Sequence, residues 1–290
     1  MLIMLFYAYQ LYLSTGIFQP SKIDDRDRSA WNFTNGIIQG GEEFTYAGKN
    51  ETCWLLIHSY AASPAEMRGL ADAIYEKFGD TIVGIRLHGH GELPSVLENK
   101  NLDSWYPQVE AEFLEGTRQC SRVNVVGSSL GAVLALRLAE KHELKNLYIL
   151  NPFLTKTFVW YKILPFELRL RLFSELFRYD KKTKIANIND PVGGEHHIAY
   201  WSMPYAPLRT SLPFIRDTRA DLSTIAEPTF IAHARGDKVA APSGAQEVYA
   251  GIASNKKELL YLNRSNHVLL MDYDRAEVIN KLLAFEENSR

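Results

Sequence analysis

The chain is poor in cysteine, has no excess of either charge and contains no repeats, and each absence excludes a class of protein. Two cysteines in 290 residues are too few for a disulfide-rich scaffold or a four-cysteine zinc site. The 32 basic and 34 acidic residues give a formal net charge of -2, so no surplus positive charge is available to bind nucleic acid. Hydrophobic residues make up 46% of the chain and no low-complexity tract occurs, so wholesale disorder is excluded.

The N-terminus is the longest stretch without charge, because residues 1–18 carry no charged side chain. Eighteen helical residues reach about 27 Å, slightly less than a hydrocarbon core. No basic residue precedes the stretch and no clear cleavage site follows it, which is not typical of a signal peptide. We expect residues 1–20 to form a hydrophobic segment that attaches the protein to a membrane. The alternative is an arm packed on the domain, with the protein then in the cytoplasm.

Short apolar runs alternate with helical patterns along most of the chain. This alternation predicts an α/β fold, with a mostly parallel sheet covered by helices on both faces. The predicted strands lie at 42–47, 52–58, 81–86, 122–127, 144–150, 228–234 and 257–262. The predicted helices lie at 63–78, 103–118, 129–142 and 243–253 and near the C-terminus.

The interval 153–225 interrupts this rhythm and is too long for a plain crossover connection. We predict that it is a helical cap inserted into a core formed by residues 21–152 and 226–290. Ligands bind beyond the carboxyl ends of parallel strands, where such an insertion would lie. Most of its aromatic residues are expected in the core of the cap, and the rest in a pocket. They are Phe153, Phe158, Trp160, Tyr161, Phe166, Phe173, Phe177, Tyr200, Trp201 and Tyr205.

The main chemical signal is the G-x-S-x-G pattern of residues 127–131, between a predicted strand and a predicted helix. In this context the pattern is typical of a sharp turn that exposes a nucleophilic serine at the edge of a sheet. The third position of the pattern is Ser129, whereas Ser128 occupies the variable position. A glycine-rich turn without chemistry is the alternative. The strand before the motif and the helix after it favour Ser129 as a nucleophile.

A nucleophilic serine needs a base, and the base needs an acid to orient it. Asp237 and His267 follow the last two predicted strands, in the chain order nucleophile, acid, histidine. Each has a simpler interpretation, Asp237 as a turn residue and His267 as a packed loop residue, but all three roles are filled in order. Asp272 and Asp274 are expected to face solvent or to cap the last helix.

An oxyanion formed at this serine needs two N–H donors. The first is expected from Leu130, which follows the nucleophile. The second normally comes from the loop after an early strand, where the N–H of Tyr60 is the best candidate.

Several of these segments resemble one known group of proteins. They are LLIHSYAASPAEM, RLHGHGELP, DSWYPQVEAEF, VVGSSLGA, RGDKVAAP and SNHVLLMD. Together they are similar to the bacterial carboxylesterase, monoacylglycerol lipase and lysophospholipase (serine aminopeptidase-like) branch of the α/β-hydrolase superfamily. The resemblance covers roughly 42–151 and 227–285, and neither the cap nor the N-terminus. It implies the α/β-hydrolase fold, a triad of Ser129, Asp237 and His267, and oxyanion donors at Tyr60 and Leu130.

Two residues depart from the pattern of that group. Ser59 stands where the group usually has glycine after His58. A side chain there is expected to narrow the acyl site or to change the backbone angles of the loop. Asn266 stands where glycine often precedes the histidine, and we expect little effect.

No cofactor or metal is expected. His88 and His90 form a His-x-His pair without carboxylate or cysteine companions, which is insufficient for zinc. His196 and His197 are interpreted as a solvated loop pair. Cys53 begins one predicted strand and Cys120 precedes its predicted neighbour, so both are expected at the non-catalytic end of the sheet. Either a disulfide bond or two thiols is compatible with this position, and two buried thiols are the favoured interpretation.

These observations predict a serine hydrolase of carboxylic esters that acts through an acyl-enzyme. The aromatic cap favours amphiphilic acyl substrates such as monoacylglycerols or lysophospholipids. Thioester hydrolysis, peptide hydrolysis and acyl transfer use the same triad, and a non-catalytic binding module is a further alternative. The pattern leaves open the acyl chain length, the head group, the membrane side and the oligomeric state.

Overall fold

The computed structural model describes residues 24–156, 168, 178–181 and 187–290. The hydrophobic N-terminal segment lies outside the described residues, as do Phe158, Trp160, Tyr161, Phe166, Phe173 and Phe177. Among the helices that are described, none combines the length and the apolar character needed to span a bilayer.

Eleven strands occur in the described part of the chain, and seven of them form one central sheet. In chain order they are β1 (Phe33–Thr34), β2 (Ile37–Ile38), β3 (Phe44–Tyr46), β4 (Thr52–Ile57), β5 (Thr81–Ile85), β6 (Arg122–Ser128), β7 (Asn146–Leu150), β8 (Tyr179–Lys181), β9 (Ser202–Pro204), β10 (Thr229–Ala234) and β11 (Lys257–Leu262). The order in the central sheet is β11-β10-β7-β6-β4-β5-β3. Only β3 runs antiparallel to its neighbour, so the predicted mostly parallel sheet is confirmed.

Nine helices accompany the strands in the described residues. They are α1 (Asp25–Ala30), α2 (Arg68–Phe78), α3 (Pro94–Leu97), α4 (Leu102–Gln119), α5 (Leu130–Ala139), α6 (Pro191–His196), α7 (Ala206–Asp221), α8 (Ser243–Gly251) and α9 (Arg275–Glu287). Short 3₁₀ turns cover Pro64–Met67, Leu222–Thr224 and Leu269–Met271.

The helices cover both faces of the sheet because its central strands are apolar on both sides. In β4, for example, Leu55 and Ile57 pack with α4 and α5, whereas Trp54 and Leu56 pack with α2 and α9. All six residues of β4 are buried. Continuous apolar runs of this kind are typical of parallel strands between two helical layers. The predicted helices on both faces are therefore confirmed.

The cap prediction covers 153–225, and the described part of this interval is only partly helical. It contains α6 and α7, as expected, but also the antiparallel strands β8 and β9, which sequence periodicity did not reveal. This strand pair is held to the core by the Glu98 carboxylate, which accepts hydrogen bonds at 2.9 and 2.6 Å from Arg178, the residue before β8. Tyr200, one of the predicted core aromatics, is buried and packs against the main core.

The two cysteines correct the favoured interpretation of two free thiols. Cys53 and Cys120 form a disulfide bond, with their Cα atoms 5.8 Å apart. Cys53 lies in β4 and Cys120 lies two residues before β6, its neighbour in the sheet, so the predicted position at the non-catalytic end is correct. Burial of both residues does not distinguish a thiol from a bridged cysteine, which is why the sequence favoured the wrong state.

Candidate active site

The turn between β6 and α5 carries Ser129 in a strained backbone conformation. Its φ is 55° and its ψ is -111°, although it is not a glycine. Non-glycine residues persist at positive φ only where the surrounding structure enforces it, and they cluster at functional sites. The side chain thus leaves the strand at the carboxyl edge of the sheet, at the start of α5, as the G-x-S-x-G pattern predicts.

The two glycines of the motif are required by close approach of the backbone. A Cβ atom on Gly127 would lie 2.4 Å from the carbonyl oxygen of Gly131. One on Gly131 would lie 2.5 Å from the carbonyl oxygen of His58, at the end of the neighbouring strand. Any larger residue would push the nucleophile turn away from the loop after β4.

The structure brings Ser129, His267 and Asp237 into one hydrogen-bonded chain. His267 Nε2 lies 2.7 Å from Ser129 Oγ, and His267 Nδ1 lies 2.7 Å from Asp237 Oδ2. A carboxylate only accepts, so Nδ1 carries the proton and Nε2 accepts from the serine hydroxyl. All three side chains are buried. This is the arrangement in which a histidine base takes the proton of a serine.

Asp237 is held as a carboxylate by its surroundings. Its other oxygen accepts the backbone N–H groups of Val239 at 2.7 Å and Ala240 at 2.9 Å. Burial by itself raises the pKa of Asp237, but the charges and hydrogen bonds of His267 and His233 outweigh it and hold the pKa far below its ordinary value. His233 Nε2 lies 3.3 Å from Asp237 Oδ2, a contact that the sequence analysis missed.

The loop that carries His267 is fixed by buried carboxylates, which corrects the expectation for two of them. Asp272 and Asp274 do not face solvent. Asp274 does occupy the N-cap position of α9, as one of the two expectations had it, but its side chain makes no cap bond there. Asp272 instead accepts the N–H of Asn266 at 2.7 Å, and Asp274 accepts the N–H of Ser265 at 2.9 Å. Backbone donors next to the base thus have fixed partners.

Two asparagines also tie this loop to its neighbours. Asn266 Oδ1 accepts the N–H of Lys238, beside Asp237, at 3.0 Å, and the expectation that this residue has little effect stays a prediction. Asn151, which follows β7 with φ 43°, donates through Nδ2 to the carbonyl oxygen of His267 at 2.5 Å. Neither contact has a sequence signal, because each joins segments that are far apart in the chain.

The predicted oxyanion donors lie in two adjacent elements. Leu130 begins α5, and Tyr60 lies in the loop after β4. Among the described residues, neither N–H has a hydrogen-bond acceptor, so both are available to a ligand. The next residue, Ala61, has φ 57°, which turns the backbone sharply at this point. The N–H of the preceding residue, Ser59, is already bonded to Glu66 at 2.6 Å.

The side chain of Ser59, which stands at the departure from the family pattern, points into a buried polar cluster. Its hydroxyl lies 2.7 Å from Glu66 Oε1 and 3.0 Å from Ser128 Oγ, in a buried polar cluster. The positive φ of the loop falls on Ala61 and not on Ser59. The side chain is accommodated because a buried carboxylate accepts its hydroxyl.

The histidine pairs considered for metal binding have other roles. His90 is buried beside His58 and Trp105, with ring centroids 4.9 Å away in both cases. Within the described ranges, no group of three potential ligands is placed to hold a metal ion. His196 is exposed as expected, but His197 is buried, with Nε2 3.4 Å from Glu66 Oε2, which corrects its interpretation as a solvated residue.

Comparison with known proteins shows the family of this chain. Residues 51–281 match the alpha/beta hydrolase family. The chain is 30% identical over 250 residues to the thermostable monoacylglycerol lipase of Bacillus sp. (strain H-257), an alignment that spans 86% of this chain and 95% of the lipase. It is 23% identical over 254 residues to a carboxylesterase of Bacillus subtilis (strain 168), which spans 84% of this chain and 95% of the esterase.

Solved structures show the same fold. A metagenome-derived lipolytic enzyme, from work on LipS and LipT, superposes with a TM-score of 0.78 and 23% identity, over 87% of this chain and 99% of its own. The matched range 51–281 includes the nucleophile turn, the two loops that carry Asp237 and His267, and all of the described residues of the interval 153–225. Both the predicted fold and the resemblance are confirmed, and the chain belongs to the alpha/beta hydrolase family.

Proposed function

We propose that this protein is a serine hydrolase that cleaves carboxylic esters through an acyl-enzyme. The observation that carries the proposal is the hydrogen-bonded chain from Ser129 Oγ through His267 to Asp237, with both contacts at 2.7 Å. The strained turn at Ser129 and the lack of an acceptor for the N–H groups of Tyr60 and Leu130 among the described residues support it further. The lipase and esterase names of the relatives support an ester as the substrate.

In the first half of the reaction, Ser129 Oγ attacks the ester carbonyl carbon while His267 Nε2 takes its proton. The carbonyl oxygen becomes an oxyanion that accepts hydrogen bonds from the N–H groups of Tyr60 and Leu130. Asp237 holds the imidazole in orientation and stabilises its positive charge. When the carbon–oxygen bond to the alcohol breaks, His267 returns the proton to the leaving alcohol, and the acyl group remains on Ser129.

The second half repeats these steps with water. His267 removes a proton from water, which attacks the acyl-enzyme, and Ser129 recovers its proton as the carboxylic acid leaves. The proton transfer between Ser129 and His267 uses a nitrogen that already lies 2.7 Å from the serine oxygen. No metal or cofactor takes part in this scheme.

We propose amphiphilic acyl esters, such as monoacylglycerols or lysophospholipids, as the substrate class. One relative is a monoacylglycerol lipase, and the chain is similar to it over most of its length. The interval 153–225, proposed as the cap, is rich in aromatic residues, a composition suited to an acyl chain. The uncharged residues 1–18 are proposed to attach the enzyme to the lipid surface from which such substrates come.

Labelling with a fluorophosphonate tests the proposal directly, because the probe reacts only with an activated serine. We expect one adduct, mapped to Ser129 by mass spectrometry. Ser129→Ala is expected to abolish labelling and to lower kcat for p-nitrophenyl butyrate by about 10⁴-fold or more. Ser121→Ala, at the opposite end of β6, is the matched control and should label like the wild type.

The result that would contradict the proposal is a folded wild-type protein without an adduct, which would support a non-catalytic binding module. An adduct on another serine would show that the nucleophile is misplaced. A matched set of ester, thioester and amide substrates then separates the leaving groups. Faster turnover of the thioester or amide than of the ester would contradict the proposed ester specificity.

A further inference from the structure

A buried polar cluster lies directly behind the candidate active site and takes no part in the steps above. Its centre is Glu66, in the 3₁₀ turn Pro64–Met67, with only 1% of its surface exposed. Around it lie Ser59 from the loop after β4, Ser128 from the end of β6 and His197 from the cap. A buried carboxylate is costly unless it is paired, so its position here calls for a role.

One oxygen of Glu66 fixes the loop that carries an oxyanion donor. Glu66 Oε1 accepts both the backbone N–H of Ser59 at 2.6 Å and its hydroxyl at 2.7 Å. Ser59 directly precedes Tyr60, so these two bonds define where the following peptide group lies. Charge-assisted hydrogen bonds of this length are roughly twice as strong as neutral ones.

The Ser59 hydroxyl links Glu66 Oε1 to the nucleophile turn. Ser59 Oγ lies 3.0 Å from Ser128 Oγ, and Ser128 is the residue before Ser129. The loop with the Tyr60 N–H and the strand that ends at the nucleophile are thus joined behind the site. Their relative position sets the distance between the attacking oxygen and the oxyanion donor.

The second oxygen of Glu66 faces the cap. His197 Nε2 lies 3.4 Å from Oε2, and His197 is 4% exposed. Two more bonds hold the same cap segment to the loop, from Tyr200 N–H to the carbonyl of Ala61 at 3.0 Å and from Ser63 Oγ to the carbonyl of Ile198 at 3.2 Å. The cap therefore contacts the back of the oxyanion loop.

The surroundings keep Glu66 ionised. Burial raises its pKa, but the hydrogen bond and charge of His197, with smaller contributions from His58 and Ser59, hold the pKa below its ordinary value. An ionised carboxylate has the acceptor capacity to take both Ser59 donors on one oxygen and to face His197 with the other.

We propose that Glu66 is a positioning residue for acyl transfer, which holds the Tyr60 N–H in place relative to Ser129 and is itself held by His197 of the cap. The proposal rests on the function proposed above. It assigns to the cap a part in turnover as well as in substrate binding. Loss of one oxyanion donor lowers kcat by about 10²–10³-fold, and misplacement by about 1 Å is enough to lose much of this.

Two conservative substitutions distinguish the effect of the length of the Glu66 side chain from the effect of its charge. Glu66→Asp keeps the charge but withdraws the carboxylate from Ser59 by one methylene group. We expect kcat for p-nitrophenyl butyrate to fall by at least about tenfold while KM stays within about twofold. Glu66→Gln keeps the length and an acceptor oxygen for Ser59, and its kcat is expected to stay within about threefold of the wild type. Inhibition by a trifluoromethyl ketone, which forms an oxyanion on Ser129, should weaken in parallel with kcat.

Glu286→Asp is the matched control. Glu286 is fully buried in α9, near the start of β7 and so at the end of the strands away from Ser129. There it accepts hydrogen bonds from Asn146 and Tyr148 at 2.7 and 2.8 Å. Its shortening is expected to lower Tm without changing kcat. If the role of Glu66 were merely structural, Glu66→Asp would likewise lower Tm and leave kcat unchanged.

The proposal is overturned if Glu66→Asp retains wild-type kcat, or if Glu66→Gln loses as much kcat as Glu66→Asp. If Glu66→Asp does not fold, Ser59→Ala replaces it, with kcat expected to fall about threefold or more at constant KM and an unchanged kcat contradicting the proposal. Wild-type protein that neither labels nor hydrolyses esters overturns the proposed function together with this one. Normal labelling with an unaffected Glu66→Asp overturns only the role of Glu66.

Discussion

Buried carboxylates in this protein differ in charge according to the residues around them. Asp237 and Glu66 each face a histidine, and the pKa of each lies below its ordinary value despite burial. Glu140, which follows α5, is also buried, and burial raises its pKa to about 7. The guanidinium of Arg137, with Nη1 2.7 Å from Glu140 Oε2, lowers this pKa but offsets only part of the effect of burial. The charge of Asp221 and the negative end of helix α5 oppose ionisation of Glu140 further.

Glu140 therefore makes stability depend on pH. Between about pH 4.5 and 7 the folded carboxyl group keeps a proton that the unfolded chain has lost, so the free energy of unfolding falls as the pH rises. We expect Glu140→Gln to melt about 5 °C above the wild type at pH 8, with the difference vanishing near pH 4.5. Thermal melts from pH 4.5 to 8 measure this, and parallel Tm curves for the two proteins would show that Glu140 ionises normally.

Among the elements, the pairing of β4 and β6 is reinforced by the Cys53–Cys120 bond, which spans 67 residues of sequence. Closing a loop of that length is expected to stabilise the fold by about 4 kcal/mol in the chain-entropy description. The double substitution to serine at Cys53 and Cys120 should thus lower Tm by about 10 °C. It should leave kcat unchanged, because the bond lies at the edge of the sheet opposite Ser129.

A thiol titration of the denatured, unreduced protein checks the premise of this prediction. Fewer than 0.2 thiols per chain, as an order-of-magnitude threshold, is the result expected of a bridged pair. Two titratable thiols would show that the bond does not form in the purified protein. Equal Tm values with and without reductant would lead to the same conclusion.

The strands of the central sheet could be predicted from the sequence, whereas the four strands outside it could not. β10 and β11 lie within a residue of their predicted bounds. A run of six apolar or alternating residues between two helical patterns is typical of a strand and too short for a helix. The hairpin of β1 and β2 and the cap strands β8 and β9 have only two or three residues each, too few to show a period. β9 also contains Pro204, which argues against a strand in a sequence pattern.

The candidate site divides in the same way. Ser129, Asp237 and His267 were predictable because a motif and the chain order of strand ends mark them. Glu66 and His197, 131 positions apart, were not, because their meeting depends on how the cap returns to the core. A lone buried carboxylate or a His-His pair has no local signature that distinguishes it from surface residues.

At the scale of the whole molecule, two features bear on location. The disulfide bond is typical of an oxidising compartment, which argues against the cytoplasmic alternative. The uncharged residues 1–18 would place the catalytic domain beside lipid. Attachment to a membrane through residues 1–18 stays a proposal.

The double substitution Leu5→Lys and Leu11→Lys tests the attachment, because each lysine opposes insertion into a membrane by about 2.5–3.5 kcal/mol. The double variant is expected to lose at least about tenfold in cosedimentation with phosphatidylcholine vesicles, and a similar factor in kcat/KM on a monoacylglycerol emulsion. Turnover of soluble p-nitrophenyl butyrate should not change. Equal sedimentation of wild type and variant would refute attachment through this segment.

The way in which the cap returns to the core limits how such enzymes are recombined. Asn187 accepts the N–H of His267 at 2.9 Å, and Asp272 accepts the N–H groups of Asn189 and Asp190, each at 2.9 Å. A chimera that takes its whole cap from a relative would also replace the backbone partner of the base. Crossover points placed before Asn187 would exchange the earlier part of the cap and keep the native support of His267.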